Sequence, residues 1–140
     1  MQTIDQALAK LQTSPFRAKF RLAKADALYI EQKGLATIES HCADFIRERL
    51  APAEPPNDGK QTPWRGHPVF LAQHACACCC RGCLNKWYRV PKGVPLTEDQ
   101  QARIVRLLMA WIVRELERYY ARFPSDRPVN SVLDSVDGNR

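Results

Sequence analysis

The chain has 140 residues, 45% of them hydrophobic, which is enough for one hydrophobic core and excludes two independent domains of usual size. Its apolar runs are far shorter than the ~20 residues that cross a bilayer, and residues 1–13 lack the features of a signal peptide. We therefore expect a cytoplasmic protein that does not contact membranes. The formal net charge of +6 at pH 7 points to anionic partners, and nothing in the sequence indicates the oligomeric state.

Three helical patterns precede the middle of the chain. Residues 4–11 place their apolar side chains on one helical face, which predicts a short helix. Residues 23–33 are typical of a helix that ends at Gly34, because glycine readily adopts the left-handed conformation found after helices. Residues 35–50 carry one apolar stripe and predict a second helix, so the two should form a helical corner.

The middle of the chain is interrupted by prolines. Residues 51–63 contain four prolines and an Asn-Asp-Gly turn, which predicts a long irregular loop. Pro68 can occupy the first turn of a short helix that follows this loop. Another short helix should begin near Cys80 and run to Tyr88.

The clearest pattern covers residues 97–122, where Thr97 and Gln100 fit a capping box and apolar residues recur at helical spacing. We find no convincing strand pattern. The sequence therefore predicts an all-α fold, a small single-domain helical bundle with a long irregular loop in the middle. Residues 1–14 should form an N-terminal helical extension, residues 15–122 the domain, and residues 123–140 a flexible tail with little to bury.

Most of the net charge falls in one window. Residues 57–92 hold six basic side chains against one carboxylate, Asp58. Such a surface attracts nucleic acid or another phosphorylated ligand, because releasing counterions from phosphate favours association. An ordinary solvated surface would show the same composition, so both interpretations stay open.

The same window contains two histidines, His67 and His74, and five of the six cysteines. Cys80 and Cys83 form a C-x-x-C unit, the spacing that brings two thiolates to one tetrahedral zinc ion. The nearest candidates for the two further ligands are His74, Cys79 and His67, and the predicted metal ligands are His74, Cys79, Cys80 and Cys83. Redox-active thiols and plain packing are the alternatives. Adjacent cysteines cannot all face one ion, so at least two cysteines of residues 76–80 should be packing residues.

The loop before the cysteines is rich in groups that bind ligands or do chemistry. Lys60 and Arg65 could hold a phosphate, Trp64 could stack on a base, and Asp58 or His67 could act as an acid, a base or a ligand. The ligand-binding set predicted here is Asn57, Lys60, Gln61, Trp64, Arg65, Arg81 and Lys86. The simpler alternative is a turn in which Asn57 and Asp58 bond only to their own backbone.

Several local motifs resemble one family. They are Pro15-Phe16, Asn57-Asp58-Gly59-Lys60-Gln61-Thr62-Pro63, Arg65-Gly66-His67-Pro68-Val69-Phe70, Ala72-Gln73-His74-Ala75 and Cys79-Cys80-Arg81 with Cys83-Leu84 and Trp87. Over residues 15–112 the chain resembles a prokaryotic family catalogued as a domain of unknown function, DUF4186.

The resemblance implies where the site lies, and it brings no activity, substrate or cofactor. It implies a ligand set drawn from His67, His74, Cys79, Cys80 and Cys83. Cys76 and Cys78 stand where the family pattern has threonine, and Tyr88 stands where it tends to have histidine.

Two classes of function follow. In the first, a metal or thiol cluster stabilises the helices and the basic loop binds nucleic acid or another phosphate-bearing partner. In the second, the chain is a small enzyme that uses His67, His74, Asp58 and a cluster cysteine on an anionic substrate. Spacing alone assembles no complete catalytic constellation, so the sequence favours the binding module. His41 and Cys42 belong to another helix and should be structural unless folding brings His41 to the cluster.

Overall fold

The predicted all-α fold is confirmed for residues 2–137, the part of the chain that the computed structural model describes. This part contains eight α-helices and no strand: α1 Ile4–Leu11, α2 Pro15–Ala18, α3 Lys24–Lys33, α4 Leu35–Phe45, α5 Pro68–Ala75, α6 Arg81–Tyr88, α7 Glu98–Arg122 and α8 Val132–Asp137. A π-helical turn, Ile46–Leu50, continues α4, and a 3-10 turn, Pro124–Asp126, follows α7. None of the described helices is both long and apolar enough to cross a bilayer.

Helix α7 is the axis of the fold, and α1, α4 and α5 all pack against it. It begins as predicted, with the Thr97 hydroxyl accepting from the Gln100 N–H and the Gln100 side chain accepting from the Thr97 N–H. Its apolar face is buried along its length at Ile104, Leu108, Trp111, Ile112 and Leu116. Because burial of this stripe removes apolar surface from water, it supplies the main driving force for holding a 25-residue helix in place.

The corner between α3 and α4 depends on Gly34, whose φ of +86° lies in the left-handed region. The helix after this corner has the predicted extent, residues 35–50, but its last turn is π-helical. There the Ala51 N–H donates to the Ile46 carbonyl at 2.8 Å, one residue further back than in an α-helix. Ile46 and Leu50 are both fully buried, so the wider turn still serves the core.

Both ends of the part of the chain that the structure describes pack on the hydrophobic core. In α1, Ala7, Leu8 and Leu11 are buried. Beyond Pro124 we expected little to bury, and this is wrong for Leu133, which is fully buried.

One half-buried carboxylate, that of Glu31, holds the C-terminal segment against α3. Glu31 of α3 accepts hydrogen bonds from the Tyr120 hydroxyl at 2.7 Å, the Ser131 hydroxyl at 2.7 Å and the Val132 N–H at 2.9 Å. These partners are about a hundred residues away along the chain, so local composition does not reveal them. Residues 138–140 of the predicted tail lie outside the described residues.

Candidate metal centre

A tight turn between α5 and α6 brings three cysteines together. Ala77 has a φ of +57°, and this left-handed residue reverses the chain after the end of α5. The turn is held from outside: the Gln73 amide donates to the Cys78 carbonyl at 3.1 Å, and the Thr62 hydroxyl donates to the Cys79 carbonyl at 2.8 Å. Cys80 then caps α6, its Sγ accepting from the Cys83 N–H at 3.3 Å.

The result is a compact group of three sulfur atoms. The Sγ atoms of Cys79, Cys80 and Cys83 all lie within 4.8 Å of one another. Cys83 Sγ is 3.4 Å from Cys79 Sγ and 3.1 Å from Cys80 Sγ. Tetrahedral zinc with ~2.3 Å bonds separates its sulfur ligands by about 3.8 Å, so small side-chain adjustments would fit the three to one ion. This group could hold a metal ion.

The sequence analysis missed Arg17, which lies directly against these thiols. Its buried guanidinium comes from α2 and donates to the His74 carbonyl at 2.6 Å. The same group lies 3.6 Å from Cys79 Sγ and 3.3 Å from Cys83 Sγ. These contacts span about sixty residues of chain, and an arginine on a four-residue helix carries no local signal of them.

Hydrogen bonding divides the three sulfurs into one thiolate and two thiols. The Cys79 thiol donates to Cys83, and this bond, together with those from Cys80 and Arg17, lowers the pKa of Cys83 to about 5. The pKa of Cys79 is raised, first by its bond to Cys83 and then by burial. Burial also raises the pKa of Cys80. Before a metal ion binds, the sulfur group therefore already carries one negative charge, on Cys83. Metal binding would displace the remaining thiol protons of Cys79 and Cys80.

The other cysteines behave as packing residues. Cys42, Cys76 and Cys78 are buried in the hydrophobic core. Burial raises the pKa of Cys42 to about 12 and raises those of Cys76 and Cys78 as well. The expectation that at least two cysteines of residues 76–80 are structural is met by Cys76 and Cys78, which the resemblance had also set apart.

His74 lies beside the sulfur group but is not part of it. Its Nε2 faces the carbonyls of Thr62 at 3.2 Å and Pro63 at 3.1 Å, so this nitrogen must carry the proton. Nδ1 then has a lone pair, and it is buried without a hydrogen-bond partner among the described residues. The ring stacks on Trp64, with centroids 3.9 Å apart and planes 11° apart. Burial lowers the pKa of His74, which keeps the ring neutral.

His67 lies elsewhere, against a second histidine. Its Nε2 is 3.0 Å from Nδ1 of His41, while its own Nδ1 accepts from the Val69 N–H at 3.0 Å and caps α5. The rings of Tyr29, Phe45 and Phe70 surround it. Burial, with a smaller contribution from His41, lowers the pKa of His67 to about 4. Folding thus brings His41 to His67 and not to the cysteines.

Asp58 and Asn57 of the irregular loop form hydrogen bonds within the protein. Asp58 Oδ1 accepts from the Arg81 N–H at 3.2 Å and from the Gln61 amide at 3.0 Å, and these bonds outweigh burial and lower the pKa of Asp58. The Asn57 carbonyl accepts from the Lys60 N–H at 2.8 Å, which closes a backbone turn. The simpler alternative, in which Asn57 and Asp58 bond only to their own backbone, is wrong for Asp58, because its carboxylate accepts from Arg81. Asp58 and His67 therefore have separate neighbours. Asp58 lies near Cys80 and its charge contributes to the raised pKa of that thiol, whereas His67 lies against His41.

Arg81 was predicted to be a ligand-binding residue, and its position contradicts this. Its guanidinium is buried and donates to five backbone carbonyls, those of Leu50, Ala51, Pro52, Pro91 and Val94. Irregular backbone leaves carbonyls without helical partners, and a buried arginine satisfies several at once. Lys60, Trp64, Arg65 and Lys86 remain exposed.

An exposed aromatic surface lies next to the sulfur group. We call it the Trp64 surface, and it consists of the exposed side chains of Phe16, Lys19 and Trp64 together with the buried ring of Phe20. Trp64 is 59% exposed and Phe16 is 41% exposed, although both are large and apolar. The Lys19 ammonium lies 4.5 Å from the Phe16 ring centroid, so cationic and aromatic groups alternate here.

Comparison with known proteins agrees with the resemblance seen in the sequence. No solved structure matches this chain. Residues 5–113 match the sequence profile of a family described as "Domain of unknown function (DUF4186)". The matched segment contains all three clustered thiols, Arg17 and the irregular loop. Because it covers well over half of the 140 residues, the chain belongs to the DUF4186 family.

Proposed function

We propose that this protein is a metal-binding helical module in which Cys79, Cys80 and Cys83 hold one zinc ion as thiolates. The observation that carries the proposal is the convergence of three Sγ atoms within 4.8 Å of one another. A redox pair needs only two thiols, whereas three convergent thiols match the donor set of a tetrahedral zinc site. The reducing compartment expected for this chain also favours metal-bound over oxidised cysteines.

Charge supports the same proposal. Three thiolates and Zn²⁺ together carry one negative charge, and the buried Arg17 guanidinium beside Cys79 and Cys83 would neutralise it. A fourth ligand position remains for a tetrahedral ion. His74 is our candidate for it, because its buried Nδ1 has no hydrogen-bond partner among the described residues.

A zinc titration tests the proposal directly. We expect reduced, metal-free protein to compete with a chromophoric chelator for one Zn²⁺ per chain, with a dissociation constant well below micromolar. His74→Ala should weaken this binding if His74 supplies the fourth ligand, while His41→Ala should leave it unchanged. Failure of the wild-type protein to compete for zinc would refute the metal site and leave a thiol pair, Cys80 and Cys83, as the better account.

We further propose that the partner of the module is single-stranded nucleic acid, bound at the Trp64 surface. Exposed aromatic rings stack on bases, and neighbouring cations attract phosphates. The support is the 59% exposure of Trp64, whose neighbour Phe16 contacts the Lys19 ammonium, with Lys60 and Arg65 exposed on the same loop as Trp64. The lowered pKa of Cys83 is typical of a reactive thiol and favours the alternative enzyme. The other residues proposed for that enzyme do not converge, because His67 lies against His41 and Asp58 bonds to Gln61 and Arg81.

Binding of a fluorescent oligothymidylate would test this second step. Affinity should fall steeply with salt, Trp64→Ala should weaken binding, and Lys60→Gln with Arg65→Gln should reduce the salt dependence. The matched control is Lys33→Gln with Arg106→Gln, which removes the same charge from exposed positions elsewhere. Equal losses in both double variants would indicate attraction to net charge alone and would contradict a defined surface.

A further inference from the structure

A cavity lies away from the sulfur group, where the start of α3 meets the C-terminal half of α7. Its volume is about 870 Å³, within the range of sites that bind small molecules. Four cationic side chains line it, Arg21, Lys24, Arg118 and Arg122. We refer to it as the α3–α7 cleft. No residue of the sulfur group or of the Trp64 surface lines it.

A buried carboxylate borders this cleft. The Glu115 side chain is only 1% exposed, and ionised carboxylates are seldom buried unless cations balance them. Its Oε2 accepts from Arg118 Nη1 at 3.4 Å. Its Oε1 is 3.6 Å from Arg21 Nη1 and makes no hydrogen bond with any described residue. Glu115 therefore positions the guanidinium groups of Arg21 and Arg118. Its Oε1 atom can still accept a hydrogen bond from a ligand.

The remaining cations of the cleft are not balanced by a carboxylate in the part of the chain that the structure describes. Lys24 and Arg122 form no ion pair with any residue that the structure describes. The other carboxylate of the cleft, Asp126, already accepts from the Tyr119 hydroxyl at 2.7 Å. Four cations thus face two engaged carboxylates, and the excess positive charge favours an anion.

The start of α3 adds to this positive character. Lys24 is its first residue, and Ala23 before it has no side-chain oxygen to cap the helix. Asp26 accepts only the Ala23 N–H, at 2.8 Å. The N-terminal end of a helix attracts anions through its free N–H groups, and both Ala23 and Lys24 line the cleft.

An aromatic ring completes the cleft. Phe123 lines it and is 43% exposed, which is unusual for phenylalanine in a folded chain. Tyr119 lies beside this ring, with centroids 5.0 Å apart, and the Arg122 guanidinium lies 5.4 Å from its centroid. A planar heterocycle could stack on the exposed part of Phe123 while its anionic group contacts Arg122.

We propose that the α3–α7 cleft binds a nucleoside phosphate, with the phosphate on Lys24, Arg118 and Arg122 and the base on Phe123. The cations that lack an ion pair among the described residues favour an anionic ligand. The exposed Phe123 ring and the volume of the cleft favour a ligand larger than an inorganic ion. In the complex, Glu115 Oε1 accepts a hydrogen bond from a hydroxyl or amino group of the nucleoside. This site is separate from the zinc site and from the Trp64 surface, because different residues build it.

Isothermal titration calorimetry with adenosine 5′-diphosphate tests the proposal on the full chain. We expect one nucleotide per chain. Lys24→Gln with Arg122→Gln should weaken binding by about tenfold or more, and Phe123→Leu should weaken it several-fold. The control is Lys33→Gln with Arg106→Gln, which removes the same charges from the same two helices outside the cleft. It should change affinity less than about twofold. All these side chains lie on the surface or at its edge, and circular dichroism verifies that each variant is folded.

Four results would overturn the proposal. They are no binding of the nucleotide at about 1 mM, equal affinity for inorganic phosphate, equal weakening by the control pair, and loss of nucleotide binding in Trp64→Ala with none in the cleft variants. The last result would move the site to the Trp64 surface. Competition by a 5′-phosphorylated oligothymidylate shows whether the phosphate belongs to a nucleic-acid end or to a free nucleotide. Tighter binding than the free nucleotide indicates a nucleic-acid end, and weaker binding indicates a free nucleotide. Both results support the cleft as the binding site.

Discussion

Replacing single cysteines by serine should separate the metal ligands from the packing cysteines. At a free zinc concentration of about 100 times the dissociation constant, binding stabilises the folded chain by about 2.7 kcal/mol. For a domain of this size, that corresponds to a rise in Tm of roughly 10 °C. If Cys80→Ser weakens zinc binding about a hundredfold, the stabilisation at the same zinc concentration falls to about 0.4 kcal/mol, and the rise in Tm falls below roughly 2 °C.

The structure makes Cys80→Ser a mild change in the metal-free protein. Cys80 caps α6 by accepting the Cys83 N–H, and serine is among the best residues at that position. Cys78→Ala is the matched control. Cys78 is only 1% exposed, so its truncation should lower stability by about 1 kcal/mol through lost packing. It should nevertheless leave the zinc-dependent rise in Tm intact.

Thermal unfolding with and without zinc measures these shifts, and cobalt absorption gives an independent count of thiolate ligands. The sulfur-to-cobalt charge-transfer band should lose about one third of its intensity in each of Cys79→Ser, Cys80→Ser and Cys83→Ser. A variant series in which Cys78→Ala abolishes the zinc effect while Cys80→Ser retains it would show that the wrong sulfurs were chosen.

Three further changes test individual side chains. Arg17→Gln should raise the pKa of Cys83 above about 5 in the metal-free protein, measured by the pH dependence of alkylation by iodoacetamide, and Arg17→Lys should partly restore it. Between the ordinary histidine pKa of 6.5 and the value of about 4 for buried His67, the unfolded chain binds a proton that the folded chain does not. Stability should therefore fall as pH drops through this window. The loss should approach about 3 kcal/mol in urea titrations and be much smaller in His67→Gln. Arg81→Met leaves buried carbonyls without donors and should lower the free energy of unfolding by about 3 kcal/mol or more, whereas exposed Arg89→Met should have little effect.

Elements defined by short-range signals could be predicted from the sequence. The Thr97 and Gln100 capping box, the glycine after α3 and the proline at the start of α5 each act within four residues, and all three are present in the structure. Helical periodicity likewise indicated which face of α7 is buried, because a helix has a fixed repeat. The C-x-x-C unit is local in the same sense, and two of the three clustered thiols belong to it.

Long-range polar contacts could not be predicted. Arg17 meets Cys83 across 66 residues, and Glu31 meets Val132 across 101 residues. Arginine and glutamate usually lie on the surface. In both cases the residue forms its key hydrogen bonds only because folding brings it to a distant group, and no local pattern indicates that contact. For Arg81 the sequence predicted a function where the structure shows a structural role. A basic residue next to cysteines suggested ligand binding, but its guanidinium donates to backbone carbonyls that would otherwise lack hydrogen bonds.

The position of Arg81 leads to a last prediction, that the metal-free protein remains folded. Arg81 ties together the π-helical turn, the start of the irregular loop and residues 91–94, so the backbone on both sides of α6 is held by protein groups alone. The core around α7 is built from residues other than the three clustered thiols, of which Cys83 packs against its edge, so burial of this core does not require a metal ion. Zinc should thus add local order to the turn at Cys79 and raise Tm, without creating the fold as it does in zinc fingers. Chelation should leave the helical circular dichroism signal largely unchanged, while amide hydrogen exchange accelerates in residues 77–83 and not in α7. Global unfolding on chelation would contradict this division between a self-sufficient core and a metal-dependent turn.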